Sequence, residues 1–139
     1  MIRTLATAAL AVSLGTGAAL AGPAGDMARD HFDAIGAGDV YTLSGSYAPD
    51  AVFQWIGGPL DGVYTDTESI STVWTKFTNA QGPLEAEVAS LRESANPKGT
   101  TVTADVVFKG KNTIPVRYVL VYRDAKLVSE VWQIDPALK

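Results

Sequence analysis

From Thr100 to Asp135 the chain alternates apolar and polar residues in three successive runs, Thr101–Lys109, Thr113–Arg123 and Lys126–Asp135, each rich in Val, Ile, Tyr, Phe and Trp. A period of two marks strands with one face turned to a core. The joints, Gly110-Lys111-Asn112 and Asp124-Ala125, are short enough to predict antiparallel turns, and so a β-meander. In the first run Val102, Ala104, Val106 and Phe108 share one face, and Thr101, Thr103, Asp105 and Lys109 lie mainly on the other. A sheet of this kind leaves an apolar face that needs cover.

The cover is predicted upstream. Ala28, His31, Phe32 and Ile35 recur at helical spacing within a helix expected from Met27 to Ala37, with Asp26 as its N-cap and Gly36 and Gly38 at its end. Asp39 opens a second short helix, Val40 to Tyr47, expected to stop before Pro49. Ala51–Ile56 reads as an apolar strand, and Val63-Tyr64 as a brief extended piece. Thr65-x-x-Glu68 forms a capping box, with Asp66 as a competing cap, for a helix carrying Ile70, Val73, Trp74 and Phe77 on one face. That face is core. Leu84 to Ala95 reads as a strand whose inner set is either Leu84, Ala86, Val88, Ser90 and Arg92 or the opposite parity.

Composition narrows the setting. Met1-Ile2-Arg3, an uncharged stretch from Leu5 to Leu20 and Ala19-Leu20-Ala21 fit a cleaved signal peptide over residues 1–21. The other reading of that stretch is a membrane anchor, but about sixteen residues with Gly, Ser and Thr fall short of a spanning helix. Residues 22–139 are then expected to form one exported domain, periplasmic or secreted, without membrane anchoring. The chain has no cysteine, which excludes disulfides, thiolate catalysis and thiolate metal sites. A formal charge of −4 with no basic cluster argues against nucleic acid as a partner. One histidine and no acidic ion-binding loop predict no metal, and no phosphate loop or serine-nucleophile motif appears.

The order helix, short helix, strand, helix, four antiparallel strands resembles the NTF2-like superfamily and, within it, the SnoaL-like group. The likeness runs over roughly residues 27 to 135. It lies in Gly38-Asp39 followed by Tyr47-Ala48-Pro49-Asp50-Ala51-Val52-Phe53, in Val63-Tyr64-Thr65-Asp66 with Ile70, where Asp66 replaces the family's usual Gly, and in Tyr122 to Leu127 with Asp135. The resemblance implies an α+β cone, a curved, mostly antiparallel sheet wrapped around N-terminal helices. It also implies a cavity for a small hydrophobic molecule, cofactor-free chemistry where there is any, and a homodimer through the outer sheet face, where Val119 and Val121 lie between Arg117 and Arg123. Members include ketosteroid isomerases, polyketide cyclases, dehydratases and proteins with no known reaction.

Carried over by position, the isomerase's general base falls at Trp55, its tyrosine donor at His31 and its carboxylic acid at Tyr118. Arg117-Tyr118-Val119 supplies the Arg of a hydrolase-like Arg-x-Asp without the Asp. The acid/base candidates are therefore His31, with Glu130 or Tyr118 beside it. An imidazole is the side chain suited to acid/base work near neutrality, and Glu130 shares strand parity with Trp132 and Ile134. The plainer readings are a core histidine bonded to backbone and a Glu130 paired with Arg117 or Arg123. Tyr47, Trp55, Tyr122 and Trp132 are candidate walls of an aromatic pocket, or plain core. Three functions stay open: small-molecule binding, a cofactor-free isomerase, cyclase or dehydratase, and a non-catalytic interaction module.

Overall fold

The structure, a computed structural model, describes residues 22–138. The leader expected over residues 1–21 lies outside them. The elements run α1 (Pro23–Ala37), α2 (Val40–Ser46), β1 (Tyr47–Ile56), β2 (Gly62–Tyr64), α3 (Thr67–Gln81), β3 (Glu85–Asn96), β4 (Gly99–Lys109), β5 (Thr113–Arg123) and β6 (Lys126–Ile134). One sheet holds all six strands in the order β2-β1-β6-β5-β4-β3. β3 to β6 form the expected antiparallel meander, and β1 joins it parallel to β6.

Local chemistry corrects several boundaries. α1 starts at Pro23, not Met27, with Gly22 rather than Asp26 at its N-cap. Proline is pre-set for the first helical turn, and the Gly25 N–H, otherwise unpaired, donates to Glu93 Oε2 of β3 at 2.9 Å. α2 ends at Ser46, and Tyr47 already belongs to β1, so Pro49 sits inside a strand. That position tolerates proline because β2 pairs with β1 only at Phe53–Trp55, and the β1–β6 register slips between Tyr47 and Val52. Asp66, rather than Thr65, caps α3 by accepting from Ser69 N–H at 2.8 Å.

The parity that β3 left open has no single answer. The β3–β4 register shifts between Ala89 and Arg92, with Ser90 at φ 54°, and the half-buried set changes from Ala86 and Val88 to Leu91 and Glu93. A bulge flips every side chain beyond it and increases local twist. A second shift, between Val121 and Tyr122, joins β5 to the Asp124-Ala125 turn, whose two residues both take φ above +45°.

α1 packs on β3 and β4, and α3 on β1. The core lies between: Phe32 and Ile35 from α1, Ile70, Val73, Trp74 and Phe77 from α3, and the inward residues of β1, β4, β5 and β6. Burying each large side chain contributes about 1.5–3 kcal/mol, which a fold without disulfides depends on.

Candidate functional site

Two buried side chains in this core are not apolar, His31 on α1 and Glu130 on β6, and they meet. Their sequence positions dictate it. His31 shares the inward stripe of α1 with Ala28, Phe32 and Ile35, and Glu130 shares the inward parity of β6 with Trp132. His31 Nε2 lies 3.0 Å from Glu130 Oε1, and Tyr47 of β1 hydrogen-bonds the other carboxylate oxygen. Trp74 Nε1–H of α3 donates to the Tyr47 hydroxyl at 2.8 Å. Indole is donor-only, so the tyrosine's own proton must point to Glu130. In the tautomer that carries its proton on Nε2, His31 donates to Glu130 Oε1 and keeps Nδ1 as an acceptor. Nδ1 has no partner among the described residues.

A wholly buried carboxylate is expensive, and the geometry shows what offsets it: two donors on its two oxygens, one relayed from Trp74. The Tyr47 phenol is held well above its ordinary range, first by burial and then by the Glu130 charge. Tyr118 is pushed up for the same two reasons, although its hydroxyl makes no hydrogen bond among the described residues. Tyr118 packs on Phe32, with ring centres 4.7 Å apart, and on Trp132 at 5.6 Å. The arginine partners considered for Glu130 are engaged elsewhere. Arg117 reaches Asp105 and Asp135, and Arg123 donates to the Lys98 carbonyl.

The aromatic candidates do not form one wall. Tyr47 is tied into the Glu130 network, and Tyr122 lines a cleft of about 150 Å³ beside His31, between α1, α2 and the β5–β6 turn. Trp55 and Trp132 stack at 4.4 Å toward the opposite end, in a cluster with Phe77 and Phe108. There they border an apolar cleft of about 280 Å³ with Leu60, Ile114 and Ile134, and with Lys76 at its margin. Trp74 touches both ends, 6.1 Å from the His31 ring and 5.8 Å from Trp132. The cone's interior is filled by these rings. Trp132 Nε1, buried, has no hydrogen-bond partner among the described residues.

Sequence reasoning assigned Trp74 to the core and missed its hydrogen bond. Its helical spacing forecasts burial but not the target of an N–H that a buried indole needs.

A sheet backed by three helices with a polar group set inside it defines an α+β cone of the NTF2-like kind. The sequence matches the model of the SnoaL-like domain over residues 28–126, and the chain belongs to that family. Solved structures repeat the fold at low identity. A proposed dehydratase of the NTF2-like family from Streptomyces avermitilis is 17% identical, with 81% of this chain and 94% of that one covered and a TM-score of 0.66. A proposed polyketide cyclase from Sinorhizobium meliloti is 21% identical, covering 78% and 94%, at 0.57. A proposed calcium/calmodulin-dependent protein kinase II association domain from Xanthomonas campestris is 15% identical, covering 83% and 87%, at 0.67. No curated protein matches the sequence.

Proposed function

We propose that this SnoaL-like domain binds a small hydrophobic molecule in the cleft bordered by Trp55, Phe77 and Trp132. The observation that carries the reading is the Nε1–H of Trp132, without a partner among the described residues, beside a mostly apolar wall. A buried donor without an acceptor costs about 1–3 kcal/mol. A ligand carbonyl placed there recovers that cost, while the rings and Leu60 take its apolar body. The bicyclic ketone 1-tetralone is a suitable probe, read by thermal shift and by quenching of tryptophan emission. Binding should weaken in Trp132→Phe, which keeps an aromatic ring and removes the donor. Equal affinity in wild type and Trp132→Phe, or no binding to either, refutes the reading.

Cofactor-free isomerase, cyclase or dehydratase chemistry is the second reading, favoured by the buried His31–Glu130 pair. It requires substrate to reach that pair, and Trp74 lies against both His31 and Trp132, the latter bordering the apolar cleft. A third role, self-association through the outer sheet face, is supported by Val119, Val121 and Val131, half-buried on neighbouring strands. Val121→Lys should then turn a dimer into a monomer by light scattering. Export follows from the leader pattern: the periplasmic or secreted product should begin at Gly22 by intact mass, and a product retaining residues 1–21 would count against it.

A further inference from the structure

The cleft beside His31 shares no lining residue with the proposed hydrophobic site. Its floor combines three features. His31, nine-tenths buried, lines it with Nε2 committed to Glu130 and Nδ1 without a partner among the described residues. Asp30, on the preceding position of α1, brings an exposed carboxylate to the rim; among the described residues no Lys or Arg lines the cleft, and Lys126 at its edge donates to the Gly45 carbonyl. Met27, Leu43 and Ala34 supply apolar walls around about 150 Å³, the size of a cavity that accommodates a small hydrocarbon body. Tyr122, at the same cleft, has its phenol pushed up by burial, then by the Glu130 charge, then by that of Asp30.

We infer that this cleft is a second binding site, for a small organic ammonium with a short apolar body. The ammonium donates to His31 Nδ1 and to the Asp30 carboxylate, and the body lies against Met27 and Leu43. Glu130 holds the imidazole proton on Nε2, which keeps the Nδ1 lone pair free to accept, as a carboxylate behind a histidine fixes its tautomer elsewhere. An anionic ligand is disfavoured by two carboxylates, and a neutral alcohol lacks the attraction to Asp30. No covalent step is involved.

His31 is the chain's one histidine, so long-range proton–nitrogen NMR reads its two ring nitrogens without overlap. The free protein should show Nε2 protonated and Nδ1 bare. n-Butylammonium, added at constant pH, should shift the Nδ1 resonance saturably, while n-butanol and butyrate at equal concentration should not. Asp30→Asn, an exposed substitution, should weaken the ammonium about tenfold by losing one charge-assisted hydrogen bond. Binding of 1-tetralone should be the same with or without n-butylammonium, so each site stands or falls alone. A proton on Nδ1 in the free protein, equal responses to the three probes, or an unchanged affinity in Asp30→Asn would overturn the assignment.

Discussion

Replacing Glu130 tests the buried network directly, because two substitutions remove different parts of it. In Glu130→Leu both acceptors vanish, and His31 Nε2–H and the Tyr47 hydroxyl lose their partners in the buried core. Each orphaned group costs about 1–3 kcal/mol, so the two together cost about 2–6 kcal/mol. In a domain of this length that is a fall of about 8–24 °C in Tm. Glu130→Gln keeps a carbonyl oxygen for Tyr47 but turns an amide toward His31. The imidazole can then pair only by accepting at Nε2, which moves its proton to Nδ1. Two charge-assisted bonds become neutral ones, a loss of about 1–2 kcal/mol, or about 4–8 °C. Thermal and urea melts measure the first quantity, and nitrogen NMR of the sole histidine measures the tautomer. Melting within about 0.5 kcal/mol of wild type for both variants would refute the energetic argument. An unchanged tautomer in Glu130→Gln would refute the direction assigned to the hydrogen bonds.

Three other outcomes follow from named residues. Tyr47, Tyr118 and Tyr122 all have folded-state pKa values raised above the unfolded value, so their contribution is complete below about pH 10 and is lost as pH climbs above it. Absorbance at alkaline pH should therefore show these phenols ionising in one step that coincides with unfolding by circular dichroism, and a gradual titration in the folded protein would contradict it. Ala125 takes φ 58° in the β5–β6 turn, where a side chain costs about 1–2 kcal/mol and glycine does not. After glycine's own entropy cost, Ala125→Gly should raise stability by about 0.5–1 kcal/mol in a urea melt, and a loss would show the turn relaxes some other way. Gly36 lies in the last turn of α1, where helix propensity alone favours alanine by about 1 kcal/mol. A Cβ there would overlap the Leu84 carbonyl, however, and Leu84 N–H already bonds the Gly36 carbonyl at 2.9 Å. Gly36→Ala should therefore destabilise by about 1–3 kcal/mol, and a gain in Tm would mean that the helix end moves away from β3.

The meander was legible because β4, β5 and β6 obey one simple rule, alternation between a covered and an open face. The same rule aimed Glu130 inward with Trp132, and helical spacing aimed His31 inward with Phe32, so both halves of the buried pair lay in the pattern. The start of α1 did not. The partner of its Gly25 N–H is Glu93, 68 residues downstream, and no local window contains that information. β3 resisted for a different reason: with its bulge at Ser90, neither parity was true along its whole length.

Why Tyr47 joins the pair is the part that periodicity cannot reach. In the parallel register of β1 and β6, Glu130 lies opposite Phe53, so Tyr47 is six residues away along its strand. A regular strand would carry it roughly 20 Å from that rung, too far for a hydrogen bond. Between Tyr47 and Val52, however, β1 advances five residues while β6 advances two, from Leu127 to Ser129. The slack gathers at Pro49-Asp50, and the Tyr47 ring comes to stack on Phe53 with centres 6.4 Å apart, within reach of Glu130 and Trp74. An irregularity that periodicity reads as a helix stop thus delivers the second donor a buried carboxylate requires. Restoring regular pairing by deleting residues there should cost the network its tyrosine before it costs the sheet its order.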